Sequence, residues 1–449
     1  MNKNKITAIL FLSLFFLQFS SAQKGAAKPA GDEKVDPSSI TGGVGLTWID
    51  GKAYYLVSIA PELAFGKFGV GLDLNLRISS EDQKVRPGDF DGGRFVRYVR
   101  WGHKGDDVYA RVGILDYSKL GHGSIMYQYK NSPSYDDRRL GSEFDLNFEK
   151  YGFETVYGDF ARAGVVGLRG YVKPMQFLPA VASIPIIGGL EVGATWASDL
   201  RSDSRDTDIV RTPTVPATFS KKQDLGAMSI VGFDLGLPLL RIPTVSSTLY
   251  FDYANIVNFG SGTSLGLETK FSGIGILTID TKLERRWNGD QYAPNYFNTF
   301  YELERYQLNG IALQSKARQL ANTISPGPGI FGDLLVDVLG TVQVRGTYSK
   351  LDNIDTSGVL HLGTSLGDKI PLVVVDAGYD KRNIKDSKDI FTLDERSLLY
   401  ANVGYKPYPF MIVSILYTWT FKPVADASGN SHYESQKQVT PKVSFVFPL

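Results

Sequence analysis

Residues 245–286 contain three successive segments in which apolar and polar side chains alternate, and this pattern constrains the fold more than any other. In the second segment, Leu265 and Leu267 alternate with Glu268 and Lys270. Because successive side chains of a β-strand point to opposite faces, each segment predicts a strand with one apolar and one charged face. The turns that join the segments are so short that neighbouring strands must run antiparallel.

A soluble β-sandwich would show the same alternation with its apolar face turned inward, but two features favour a membrane barrel. The segments run about 10–13 residues, longer than the ~5–6 of an ordinary sheet and near the ~9–11 that cross a bilayer on a tilt. The alternation also recurs along almost the whole chain with no helical layer to cover it. A closed barrel accounts for both features, because its apolar face meets lipid and its polar face lines the lumen.

The first residues have the layout of a secretory signal peptide. Lys3 and Lys5 precede an apolar run over residues 6–17, and Ser20 and Ala22 supply a small-x-small cleavage site. A membrane anchor is the alternative, but the run is short for a span. We therefore predict a signal peptide over residues 1–22, a flexible periplasmic tail over residues 23–40 and a transmembrane barrel over residues 41–449.

Composition fits this interpretation. The chain of 449 residues has no cysteine, a formal net charge of +1, 24 Tyr and 26 Phe. A secreted chain without disulfides needs another source of stability, and a fully hydrogen-bonded barrel supplies one. Abundant Tyr and Phe fit aromatic girdles at the two membrane interfaces. The near-neutral charge gives no support for nucleic acid as a partner.

The predicted fold is an all-β, antiparallel up-and-down barrel with long extracellular loops. About 19 segments alternate in the required way, whereas a bacterial single-chain barrel has an even number of strands. At least one assignment is therefore wrong: the weak segment 124–130, the overlong segment 334–349, or the poorly sorted segment 94–101. We expect about 18 strands, with 16 and 20 as alternatives.

The end of the chain resembles the C-terminal signal of bacterial outer-membrane β-barrels. Val443, Phe445 and Phe447 alternate with polar or small positions, although the family usually ends in an aromatic residue and this chain ends in Pro448 and Leu449. The signal segment and its Ser-Ala-Gln junction resemble those of Bacteroidota. The resemblance implies an outer-membrane location and a porin-like barrel. It matches no named family by motif, so it transfers no functional residues.

If the polar face lines the lumen, charged side chains of both signs lie inside the barrel. In a narrow barrel they would pair and fill the interior, and in a wide one they would line water and tune ion preference. The predicted lumen-lining residues are Asp73, Arg77, Arg111, Arg169, Asp252, Glu268, Lys270, Asp280, Lys282, Glu284, Arg286, Arg345 and Asp376.

Two long insertions are candidates to enter the lumen. Residues 116–138 carry His122, Tyr127 and Tyr129, which we predict to form a constriction loop, although a lone His between glycines is commonly just a loop residue. Residues 287–330 hold an aromatic run over 292–306 and a short helix predicted over 310–322. This insertion could plug the lumen or simply cap the surface.

The chain offers no sign of an enzyme. Its four His occupy no zinc spacing or nucleophile elbow. We predict no catalytic, cofactor or metal site, and a porin-like outer-membrane channel for passive diffusion of small hydrophilic solutes. The alternative is a non-conducting barrel that serves as a scaffold in an envelope secretion or assembly complex. Expected partners are outer-membrane lipid, small polar solutes, and either further copies of the chain or an envelope protein.

Overall fold

The computed structural model is an antiparallel β-barrel. It describes residues 38–49, 51–86, 88–89, 95–132, 138–161, 164–202, 207–212, 215–221, 226–274, 276–309, 312–321, 326–366, 370–394, 396–425 and 431–448. The predicted signal peptide, residues 1–22, and residues 23–37 of the predicted tail lie outside these ranges, so both remain predictions.

The described residues form 25 strand segments, and those of the barrel follow the chain in order, each paired with its neighbours. They are β1 Ser39–Ile49, β2 Lys52–Phe65, β3 Phe68–Leu72, β4 Leu74–Ser79, β5 Val96–Trp101, β6 Val108–Gly113, β7 Gly141–Asn147, β8 Tyr151–Tyr157, β9 Val165–Val172, β10 Glu191–Asp199, β11 Thr207–Thr212, β12 Val215–Lys221, β13 Met228–Ile242, β14 Val245–Ile256, β15 Ser261–Ile274, β16 Leu277–Asn288, β17 Tyr306–Asn309, β18 Ala312–Ser315, β19 Gly327–Val338, β20 Val342–Leu351, β21 Gly358–Leu366, β22 Val373–Ile384, β23 Ser397–Tyr408, β24 Met411–Ala425 and β25 Ser431–Pro448.

The first and last strands close the barrel. β1 pairs antiparallel with β25, from Ser39 opposite Pro448 to Gly45 opposite Lys442. Two short hairpins, β11–β12 and β17–β18, stand apart from the closed sheet. Closure leaves no edge strand in the sheet, so the backbone groups of the first and last strands satisfy each other.

The described barrel has 20 strands, so the expected number of about 18 is slightly too low. The closed sheet contains 21 segments, but β3 and β4 both pair with β2 and form one strand interrupted at Asp73. Segment 334–349 is the wrong assignment, because residues 339–341 turn the chain between β19 and β20. Segment 94–101 contains a genuine strand, β5, and segment 124–130 forms only isolated bridges.

The strands sort their side chains as the alternation predicts. In β13 and β14, Phe233 is 62% exposed on the outer surface, whereas Asp234 and Asp252 are almost completely buried on the inner one. Large apolar side chains such as Trp48, Leu283 and Ile415 are exposed all around the outside. An apolar belt outside and charges inside are what a barrel in lipid requires.

The two rims of the barrel differ. Both chain ends meet at one rim, the near rim, where most connections are short turns such as residues 66–67, 243–244 and 409–410. The opposite far rim carries the long connections, among them residues 114–140, 200–227 and 289–326. Short turns at one rim and long loops at the other are typical of outer-membrane barrels, in which the short turns are periplasmic.

Helical structure is limited to single turns. One connection at the near rim contains 3₁₀ turns at Pro174–Phe177 and Ile187–Gly189 and the α-turn Pro179–Ala182. The helix predicted over residues 310–322 is only Lys316–Leu320, because Ala312–Ser315 pairs with β17 as a strand. A second short turn is Tyr301–Glu304. None of the helices in the described ranges has the length and apolar character to cross a membrane.

Candidate functional site

The connection between β6 and β7 turns inward and crosses the barrel interior. We call its described part, residues 114–132, the lumen loop. On one side, the backbone N–H of Gly121 donates to Glu154 Oε2 of β8 at 2.8 Å. On the other side, Gln128 Nε2 donates to Asp333 Oδ2 of β19 at 3.0 Å. The loop therefore reaches from one wall of the barrel to another, and both of these contacts fall on inward-facing side chains.

The middle of the loop rests on β14, β15 and β16. The imidazole of His122 stacks on the ring of Tyr250, with centroids 4.2 Å apart and planes 7° apart. Its Nδ1 lies 3.7 Å from Glu268 Oε2, and the Lys282 ammonium donates to the His122 carbonyl. Lys119 Nζ approaches Glu268 Oε1 to 3.1 Å. These contacts hold the loop to the wall at its centre as well as at its ends.

A second inserted segment backs the lumen loop. We call residues 289–306 the aromatic loop. Tyr127 N–H donates to the Phe297 carbonyl at 3.1 Å, and Phe297 N–H donates to the Ile125 carbonyl at 3.2 Å, so the two loops share backbone hydrogen bonds. Tyr129 hydroxyl donates to Glu302 Oε1 at 2.6 Å. The sequence left two alternatives for the aromatic run, a plug in the lumen and a cap on the surface. In the structure the run lies against the lumen loop and is buried with it.

The two loops form an apolar core inside the barrel. Because inward wall positions at their level are also apolar or small, the loops pack as tightly as a soluble core would. The shared members of this core, all buried, are Leu115, Leu120, Ile125, Met126, Tyr129, Val156, Val165, Ala197, Met228, Ile230, Ala254, Ile256, Tyr292, Tyr296, Phe297, Tyr301, Ala317 and Leu320. The far half of the lumen is therefore filled beside strands β8 to β16.

All predicted lumen-lining residues within the strands occupy inward positions, and many form ion pairs. Arg169 bridges Asp234 at 2.5 Å, Glu191 at 2.8 Å and Glu154 at 3.3 Å. Arg169 and Asp234 are buried while Glu154 and Glu191 are half-buried, and the cluster is tolerated because each carboxylate faces the same guanidinium. This cluster joins β8, β9, β10 and β13 below the lumen loop.

A second cluster lies on β16 and its neighbours. Glu284 is fully buried and pairs with Lys282 at 2.8 Å and with Arg286. It also accepts a hydrogen bond from the Tyr250 hydroxyl at 2.6 Å. Lys282 in turn lies 3.6 Å from Glu268. The predicted residues on β14 to β16 are thus brought together beneath His122.

The remaining predicted residues lie around the rest of the wall. Asp73, at the interruption between β3 and β4, pairs with Arg138, and Arg77 pairs with the buried Asp89. Two of the other arginines approach carboxylates: Arg111 lies 3.6 Å from Asp116, and Arg345 lies 2.6 Å from Asp333. Asp376 accepts a hydrogen bond from the Tyr400 hydroxyl at 3.2 Å. Lys270 lies opposite Asp280 in the strand register.

Asp252 differs from its neighbours. Its side chain is buried, yet neither carboxylate oxygen has a hydrogen-bond partner among the described residues. It lines a small cavity together with His122 and Asp234. A buried carboxylate without a hydrogen-bond partner is costly, which sets Asp252 apart from the paired acids around it. Within the described ranges, no group of three or more His, Asp or Glu side chains is arranged to hold a metal ion.

Several residues that hold the lumen loop were not among the predicted lumen-lining residues. Glu154, Asp234 and Asp333 sit at inward positions and accept its hydrogen bonds or support its neighbours. Asp333 was not predicted to line the lumen because its strand was expected to start at Leu334, one residue later. Glu154 and Asp234 lie on the polar face of their strands, so the alternation in the sequence could have identified them as inward-facing.

The wall opposite the filled half retains space. We call strands β21–β25 and β1–β4 the open wall. Its inward positions include small or half-buried side chains such as Thr41, Ser365 and Lys442, beside buried polar ones such as Asp376 and Asn402. A methyl group added at inward-facing Gly363 would meet no neighbouring atom within 4 Å. The loops thus pack mainly against one side of the lumen, although Phe300 of the aromatic loop also stacks on His361 of β21, with ring centroids 5.0 Å apart.

No protein-family model matches the chain, and no curated protein matches it. Among solved structures it is similar to Wzi of Escherichia coli, an outer-membrane protein involved in group 1 capsule assembly and named as a carbohydrate-binding β-barrel. The two are 12% identical with a TM-score of 0.34, over 92% of this chain and 84% of Wzi.

Two structures from Pseudomonas aeruginosa are similar to the same degree. OpdQ is 12% identical with a TM-score of 0.30, over 92% of this chain and 98% of OpdQ. The outer-membrane protein opdK is 9% identical with a TM-score of 0.31, over 91% of this chain and 98% of opdK. The solved structures that this chain resembles are thus outer-membrane barrels of no single family, as expected. Likenesses this distant carry no argument about what the chain does.

Proposed function

We propose that the protein is an outer-membrane channel that passes small hydrophilic solutes by diffusion along the open wall, past the lumen loop. The apolar outer belt and the unequal rims support the membrane location. A barrel of 20 strands supports the channel, because barrels of 16–18 strands already leave an aqueous lumen that side chains alone cannot fill.

The observation that carries the proposal is the space beside the open wall. The loops fill the lumen next to β8–β16, whereas Gly363 faces space in which a methyl group would touch nothing within 4 Å. Small and polar side chains line that side, among them Thr41, Ser365 and Lys442. A polar, water-accessible strip along one wall is the surface that a diffusing polar solute needs.

Single-channel conductance tests the proposal. The mature protein, refolded and inserted into a planar bilayer, is expected to show a small, steady conductance. A variant in which residues 117–131 are replaced by a short Gly-Ser linker is expected to conduct several-fold more, because the constriction is removed. Heat-modifiable electrophoretic mobility shows that each barrel has folded. Silence in the native protein alongside conduction in the trimmed variant would contradict a constitutive channel.

The non-conducting scaffold is the second candidate, and one observation favours it. The lumen loop is fastened by ion pairs, backbone hydrogen bonds and an apolar core, which is more than a constriction requires. If the native barrel is silent and a membrane extract retains an envelope protein bound to it, the plugged scaffold is the better description. The oligomeric state, a trimer or a single barrel, follows from cross-linking in the same extract.

A further inference from the structure

The connection between β9 and β10 is unlike the other turns at the near rim. It spans residues 173–190, whereas most other near-rim turns have only two to six residues. Residues 174–190 contain no charged side chain and five apolar β-branched or aromatic residues. We call residues 174–189 the apolar flap. A long uncharged connection on a periplasmic rim needs a physical reason.

The flap exposes its apolar side chains. Phe177 is 53% exposed, Leu178 52% and Ile187 49%, and Ile184 and Ile186 are exposed as well. The segment is nevertheless folded, because Gln176 Nε2 donates to the Gly188 and Ala182 carbonyls and Gly189 packs on Pro238. A folded segment that exposes five large apolar side chains close together indicates an interaction surface.

The strands next to the flap are short. β8 has 7 residues and β9 has 8, whereas β13 beyond them has 15. Seven residues at about 3.3 Å each, tilted by about 45°, rise roughly 16 Å, well below the ~25 Å apolar band of an outer-membrane barrel. On this side of the barrel, β8 and β9 are therefore too short to span the whole hydrocarbon core of the membrane by themselves.

The flap has the chemistry to fill that shortfall. It leaves β9 at the near rim and returns at β10, so it lies directly below these short strands. Lysines flank it: Lys173 precedes it, and Lys150 Nζ lies 5.4 Å from the centre of the Phe177 ring. Lysine stems commonly lie along apolar surface while the ammonium reaches lipid headgroups.

We propose that the apolar flap inserts into the periplasmic leaflet and completes the lipid-facing surface of the barrel below β8 and β9. Its partner is the acyl-chain and headgroup boundary of phospholipid. This inference rests on the proposed outer-membrane location, but it does not depend on whether the lumen conducts. A surface helix or turn of this kind lies about 5–10 Å into the headgroup and acyl boundary.

The absence of cysteine from the sequence makes site-directed labelling direct. Single-cysteine variants I187C in the flap, F233C in the outer belt and K67C in another near-rim turn would each carry the fluorophore NBD. The labelled full-length barrels are reconstituted into phosphatidylethanolamine–phosphatidylglycerol vesicles with or without brominated acyl chains. Heat-modifiable mobility shows that each variant has folded. Iodide in the aqueous phase measures exposure to water.

We expect brominated lipid to quench the label at residue 187 nearly as strongly as the label at residue 233, and to leave the label at residue 67 bright. Iodide should quench only the label at residue 67. If the label at residue 187 behaves like the label at residue 67 while the label at residue 233 is quenched by lipid, the flap faces water. That result would overturn the flap proposal and leave the membrane location intact. Shielding of residue 187 from both quenchers would assign the flap to protein contacts and also overturn it. Loss of lipid quenching at residue 233 would instead remove the membrane location itself.

Discussion

The hydroxyl of Tyr127 donates to Asp333 Oδ2 at 2.6 Å, joining residues 206 positions apart in the sequence. The bond fastens the lumen loop to the wall of the barrel. The same carboxylate accepts a hydrogen bond from Gln128 Nε2 at 3.0 Å and pairs with Arg345 at 2.6 Å. One wall residue, Asp333, therefore binds two neighbouring residues of the loop. The position of the lumen loop thus depends on a few buried polar contacts.

Replacing Tyr127 by Phe should loosen the loop without unfolding the barrel. Asp333 keeps its bonds to Gln128 and Arg345, so the free energy of unfolding should fall by only about 1–2 kcal/mol. The freed loop end should add flicker to the single-channel current. Urea unfolding in detergent and current recordings measure the two effects. Y253F, on the outer face, is the control and should change neither; equal flicker in both variants would contradict the role of the bond.

Replacing Arg169 by Leu should destabilise the barrel strongly. Its side chain is 3% exposed, and its removal leaves Asp234, Glu191 and Glu154 facing one another without a cation. Removing one partner of a buried charge cluster costs about 3–5 kcal/mol. Urea midpoints provide the measurement. R285L is the matched control, because Arg285 pairs with Asp352 at the exposed far rim, where loss of a solvated pair changes little.

Gly363 tests whether solutes use the open wall. We expect G363F to lower the single-channel conductance severalfold while leaving stability unchanged, because the ring enters space in which a methyl group meets no atom within 4 Å. G346F, on the neighbouring strand, places the same ring on the lipid face and should leave the conductance unchanged. If both variants conduct like the native barrel, solutes take another path or none.

Lys442 should influence ion preference. It lies at a half-buried inward position of β25, opposite Gly45 of β1. A charge beside a narrow polar passage repels ions of its own sign, so K442E should shift the reversal potential in a salt gradient towards cation preference. K437E, on the outward parity of the same strand, is the control. An equal shift in both variants would indicate a general surface-charge effect instead.

Alternation in the sequence predicted the wall of this barrel but not its contents. The inward parity of Asp252, Glu268 and Lys282 follows from strand periodicity, which is local. The path of the lumen loop depends on contacts such as that between His122 and Tyr250, which lie far apart in the sequence and leave no local pattern. The count of strands failed where a three-residue turn, residues 339–341, lies between β19 and β20 and interrupts their alternation only briefly.

The loop over residues 385–396 at the far rim should resist moderate acid because of Arg396. Its guanidinium donates to both oxygens of Asp389, at 2.8 and 2.6 Å. These hydrogen bonds lower the pKa of Asp389 from 3.8 to about 2. Burial alone would raise the pKa of Asp394, but hydrogen bonds from Arg396 keep it below its ordinary value.

Both carboxyls are more acidic in the folded loop than in the unfolded chain. Their stabilising contribution is therefore complete above pH about 4 and is lost as the pH falls through the folded pKa of Asp389, about 2. Pepsin, which is active over this range, should cut the native loop slowly at pH 3.5 and faster as the pH approaches 2. In R396Q the Asp389 pKa returns towards its ordinary value, so rapid cleavage should begin at higher pH. Identical pH profiles for the native protein and R396Q would show that Arg396 does not hold this loop.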